Sequence, residues 1–118
     1  MEIQPAELID KMTILKLKIE KLDSLELRAE YEEYERAIEG YRKQGVEVKP
    51  EWFDRLYEYN REQWEIYAQL RDEKNGKRDL ETIGRLYIAV EKSNKKRVAI
   101  KNEIVNVSGK GFRDIKMN

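Results

Sequence analysis

Apolar residues recur along this chain in alternating steps of three and four, the spacing that lines one face of an α-helix. Over 5–22 the seam is Leu8, Met12, Leu15, Ile19 and Leu22, a strict heptad pattern. Pro5 suits the first helical position, where its missing N–H would have no partner anyway. Ile9, Ile14 and Leu17 widen the apolar face, so this helix is expected to touch more than one neighbour. The seam slips at Asp23-Ser24 and restarts as Leu27, Tyr31, Tyr34, Ile38 and Tyr41. Either Asp23 or Ser24 can cap a fresh helix, and a kink in one long helix fits the slip equally well.

Gly45 ends the second segment, and 46–49 reads as a short extended link before Pro50 opens a third helix. Its predicted inner face is Phe53, Leu56, Tyr57, Asn60, Trp64, Tyr67 and Leu70, with Trp52 one step off that seam, on the surface or in a partner's groove. Asn75-Gly76 is a stop signal, because both residues tolerate the left-handed conformation. Asp79 is the expected cap of a last helix reaching about Asn106, with Leu80, Ile83, Leu86, Tyr87, Val90, Val98, Ile104 and Val105 facing inward. Gly84 weakens that helix by about 1 kcal/mol relative to Ala, a cost that tight helix packing would justify. The pattern predicts an all-α protein, a three- to four-helix antiparallel bundle with long helices. A single domain is expected over 1–107, with 108–118 as a flexible tail.

Composition narrows the chemistry. The chain has 118 residues, enough for one domain. It has no Cys and no His, which excludes disulfides, thiolate metal sites and Ser-His-Asp or Cys-His mechanisms within the chain. Basic and acidic residues balance at 24 each, so no net positive charge favours nucleic acid. The longest apolar run, 86–90, is far short of a membrane span, and 1–5 lacks the features of a signal peptide. The expected setting is cytoplasmic, with no nucleic-acid or membrane partner and no cofactor.

Candidate chemistry rests on polar residues within the seams. Asn60 is in step with Tyr57 and Trp64, and Asn94 with Tyr87 and Val90; Arg97 and Lys101 follow on or beside the same face. Buried amides and charges need partners. One reading is an asparagine pair fixing helix register. Another is a ligand site for a small anion, in which Arg supplies a bidentate fork and Asn both donor and acceptor. Glu7, Asp10, Lys11 and Thr13 of the first helix read first as a solvated helix face; in the ligand reading they line one end of the cleft, and Arg71 adds charge. No metal site is expected. Glu30-x-x-Glu33 and Glu51-x-x-Asp54 have the general form by which all-α nucleoside-triphosphate pyrophosphohydrolases hold Mg²⁺, but Ala29 stands where the first of two adjacent Glu residues belongs.

Three segments together resemble a family of small bacterial proteins of unknown function, some of them similar to phage-borne chains. These segments are Pro5-Ala6-Glu7-Leu8-Ile9-Asp10-Lys11-Met12-Thr13-Ile14-Leu15; Leu56, Asn60, Trp64-Glu65-Ile66 and Leu70-Arg71; and Asn94-Lys95-Lys96-Arg97-Val98-Ala99-Ile100-Lys101. The chain departs from that pattern at Lys95, where relatives carry Asp, and at Asp114-Ile115-Lys116, where they end in two acids and a Lys. The resemblance implies a helical fold and brings with it no established activity, cofactor or catalytic residue.

The surplus of apolar seams leads to the expectation of a non-enzymatic binding or interaction module that self-associates, as a homodimer. A protein partner or small anionic ligand is a further expectation. The rival readings are a small helical enzyme working with Glu7, Arg71, Arg97 and Lys101 in a cleft, and Mg²⁺-dependent nucleotide hydrolysis.

Overall fold

A computed structural model describes residues 3–75 and 79–109. It contains four helices and, among the described residues, no strand: α1 (Pro5–Lys21), α2 (Leu25–Lys43), α3 (Pro50–Asn75) and α4 (Leu80–Ser108). The all-α bundle expected from the seams is what forms. Gly76 and 110–118, which carry part of the predicted stop and most of the predicted tail, lie outside the described residues.

The helix ends follow local chemistry. The seam slip at Asp23-Ser24 is a true break: Leu22 leaves helical geometry, and Ser24 accepts the Leu27 N–H at 3.1 Å. Asp23 instead holds the Arg28 guanidinium through two hydrogen bonds of 2.6 and 2.9 Å. Gly45 has φ of 87°, a left-handed conformation that turns the chain out of α2 without a Cβ clash. Asp79 caps α4 by accepting from the N–H groups of Glu81 and Thr82.

The helix α1 is the centre of the molecule and packs on all three others, as its wide apolar face foretold. Its contacts from Asp10 to Glu20 fall on residues 53–60 of α3, so it crosses α3 obliquely. The α3–α4 pair is antiparallel, registered by Trp52 on Glu103 and by Ser93 on the Tyr59 carbonyl. At 1.5 Å per residue the 29 residues of α4 run about 43 Å, against about 25 Å for α1, so one half of the hairpin extends past the helix that covers the other. The buried residues of α4, Ser93, Val98, Ile100, Lys101 and Ile104, all belong to the covered half. The core unites Leu8, Ile9 and Met12 of α1 with Ile38 and Tyr41 of α2, Trp52 and Leu56 of α3, and Ile100 and Ile104 of α4. Among the helices, the backbone of α2 comes close to that of α1 alone.

Two expectations are corrected. Trp52 is completely buried, not on the surface or in a partner's groove; its indole N–H donates to Glu103 at 2.9 Å. The deepest positions of α3 are therefore Trp52, Leu56, Asn60, Ile66 and Leu70, while Phe53, Tyr57 and Trp64 are half-buried and Tyr67 is exposed. The buried stripe keeps Leu56, Asn60 and Leu70 of the predicted face and adds Trp52 and Ile66 from its edge. On α4, Leu80 is 80% exposed and Tyr87 48%, although both were expected inside. Their stretch lies beyond α1, and among the described residues α3 is the one helix beside it.

Candidate functional site

Asp10 is the centre of the polar cluster. It sits on the second turn of α1, next to Ile9 and within a run of buried residues, and is itself 3% exposed. A carboxylate in that position demands partners, because an isolated buried charge costs far more than the fold can spare. Arg97 of α4 meets it with a bidentate fork: Nε donates to Oδ1 at 2.9 Å, and Nη2 donates to Oδ2 in a very close contact. Asn60 of α3 donates through Nδ2 to the same Oδ1 at 2.8 Å and to the Thr13 hydroxyl oxygen at 2.8 Å. That hydroxyl passes its own proton to the Asp10 carbonyl oxygen at 2.7 Å, one turn back on α1. Arg97 Nη1 donates to Asn94 Oδ1 at 3.2 Å, which orients the fork from within α4. One cluster thus ties α1, α3 and α4 together.

Lys101 extends the cluster by one turn. Its ammonium is almost buried and bonds Glu7 at 2.6 Å, although Glu7 itself is half exposed. The charges cancel in pairs, Arg97 with Asp10 and Lys101 with Glu7. Burial by itself pushes the Asp10 carboxyl up. The hydrogen bonds and charge of Arg97, the Asn60 amide and the Lys101 charge outweigh it and hold the carboxyl below its ordinary range. Asp10 is therefore an ionised structural anion, not a carboxylic acid ready to give up a proton near neutrality.

Of the residues singled out from sequence, Glu7, Asp10, Asn60, Asn94, Arg97 and Lys101 come together. Three do not join them. Lys11 follows Asp10 in sequence but points outward and is exposed. Trp64 is half-buried one turn beyond Asn60. Arg71 is exposed on the outer half of α3. The two asparagines do not pair with each other: Asn60 serves Asp10 and Asn94 serves Arg97. A buried Asn pair fixing register, one reading of the seams, is replaced by a five-residue chain of donors and acceptors. Thr13, placed by the sequence at one end of a cleft, is a link in that chain. A second node was missed altogether. Glu103 Oε2 accepts from Trp52 Nε1 at 2.9 Å and from Arg55 Nη1 at 2.8 Å. No apolar periodicity marks a Glu as the partner of a buried indole.

A separate cavity lies away from this cluster. A groove of about 480 Å³ opens between α2 and the start of α3, floored by Ile9 and Met12 of α1, and none of the clustered polar residues lines it. Among the described residues no three acidic groups converge as cation ligands, so Glu30, Glu33, Glu51 and Asp54 do not build the metal site that their spacing suggested. No helix of the described residues is long and apolar enough to cross a membrane. No family model, curated protein or solved structure matches this chain.

Proposed function

We propose that this chain is a helical interaction module that works by binding copies of itself, with no catalytic centre in the Asp10 cluster. The observation that carries this reading is the outer half of the α3–α4 hairpin. Leu80, Tyr87 and Ile88 are 80%, 48% and 55% exposed and fall within about 100° of one another around α4, at 100° per residue. Gly84 lies on the same stripe, and a Cβ added there would meet nothing within 4 Å. Packing among the described residues accounts neither for the exposure of Leu80 and Ile88 nor for a helix-weakening glycine at that place. Close approach of a second helix gives a reason for both.

The Asp10 cluster supports the same reading by its electrical balance. An anion site needs surplus positive charge, and here each cation already holds a carboxylate. A charge pair that closes three helices on one another is a device for fixing their arrangement. The likeness of three segments to small bacterial helical proteins is compatible with such a role, since Asp10, Thr13, Asn60, Asn94 and Arg97 all fall inside those segments.

Light scattering coupled to size exclusion tests the proposal. From low micromolar to a few hundred micromolar, the chain should shift from monomer towards dimer or larger. Ile88→Asp should hold it monomeric at every concentration while leaving the helical circular dichroism unchanged. A wild-type chain that stays strictly monomeric overturns the proposal.

A further inference from the structure

We infer that the occupant of the groove between α2 and α3 is the outer half of the α3–α4 hairpin of a second copy. This inference rests on the self-association proposed above and names where the two copies meet.

The groove exists because, among the helices, the backbone of α2 comes close to that of α1 alone. In a closed four-helix bundle a neighbour would cover the far side of α2; here that side, with the start of α3, walls an open trough. Its lining follows α2 from Tyr31 to Arg42, about 16 Å at 1.5 Å per residue, which is the footprint of three turns of a docked helix. Its apolar lining comes from Ile9 and Met12 of α1, Ile38 of α2 and Phe53 of α3, with charged residues among them. The apolar stripe on α4, from Leu80 to Ile88, covers about 12 Å on the same scale, so it fits that length.

Charge chooses between possible occupants. Both cations of the groove are engaged, Arg42 on the Val48 carbonyl oxygen and near Glu39, and Lys49 over the Trp52 ring. Its remaining carboxylates, Glu35 on α2 and Asp54 on α3, form no ion pair among the described residues. The groove therefore asks for an apolar helix carrying two positive charges. The hairpin carries them. Arg71 and Lys92 are exposed and form no ion pair among the described residues, whereas the neighbouring Arg85 and Lys95 are already paired with Glu81 and Glu91. Arg71 stands one turn from exposed Tyr67 on α3, and Lys92 one turn from Ile88 on α4. Two unengaged carboxylates on one surface match two unengaged cations on the other, with exposed apolar residues between them on both.

A charge exchange between variants tests this on the full chain by sedimentation velocity. Glu35→Lys with Asp54→Lys reverses the groove; Arg71→Glu with Lys92→Glu reverses the hairpin. Each double variant alone should associate at least about tenfold more weakly than wild type, because like charges then face each other. An equimolar mixture should recover wild-type association, since every groove then finds a hairpin of opposite sign. A misfolded variant would not be rescued by mixing, so recovery also reports that both are folded. If the groove variant associates as wild type does while Ile88→Asp abolishes association, the hairpins meet each other and the groove assignment is overturned with self-association intact. If the wild-type chain is monomeric throughout, both fall together.

Discussion

Asp10 bears the largest consequences of any single side chain. Removing it as Asp10→Ala leaves the Arg97 guanidinium largely buried without its carboxylate, which should cost roughly 3–5 kcal/mol in urea denaturation. Adding Arg97→Met should recover a large part of that loss, because the stranded charge goes with it; strictly additive losses would mean that the two residues do not act as a pair. The same pair sets an acid sensitivity. The fold favours the Asp10 carboxylate, so its folded pKa lies below the value of about 3.9 for an unfolded Asp. Its contribution is complete above that unfolded value and is lost as pH falls through the lower folded one. Stability measured from pH 6 down to pH 2.5 should decline more steeply below about pH 4 in wild type than in Asp10→Asn. Parallel curves would show that Asp10 contributes nothing to the acid limb.

Helix α4 has two halves with different neighbours, and one glycine separates their demands. Gly84 is exposed in the second turn of a regular helix, and a Cβ there would meet nothing within 4 Å among the described residues. Gly84→Ala should therefore stabilise the monomer by roughly 0.5–1 kcal/mol, through higher helix propensity and a less flexible unfolded chain. The same change should weaken association if a second helix lies close against that stripe. Thermal melts at low concentration and sedimentation at high concentration separate the two effects. At Gly45, where φ is positive, the same substitution should destabilise, by about 1 kcal/mol. The opposite signs at two glycines follow from backbone conformation alone.

The whole molecule is an asymmetric assembly of two hairpins. One end is closed by the crossing of α1 and locked by Asp10, Arg97 and Asn60; the other end is a bare α3–α4 limb. The longest dimension, 53 Å, exceeds the shortest, 24 Å, by more than twofold. If folding and association are linked, the melting temperature should rise with concentration, because a partner that binds only the folded chain adds to its stability. In Ile88→Asp the melting temperature should be independent of concentration. A flat dependence in wild type would separate folding from association.

An all-helical chain, most helix limits and the interior place of Asn60 were legible in the sequence; whether Asp23-Ser24 breaks or kinks the first helix was not. Each legible feature depends on spacing or on a capping residue within a few positions, as with Pro5, Ser24, Gly45 and Asp79. The polar company of Asn60 was legible as a list: Asn94, Arg97 and Lys101 stood on or beside an apolar seam, and Asp10 stood at one end of a possible cleft. Their pairing was not, because a bond across 87 residues, such as Arg97 to Asp10, has no periodic signature. Nor could spacing decide which edge of the predicted α3 face would be buried with it. Trp52 went inside because α1 crosses α3 at that side, and Leu80 and Tyr87 stayed outside because α1 is too short to reach them. Periodicity determines the face that a helix prefers to hide; only the lengths and crossings of its neighbours decide whether anything arrives to cover it.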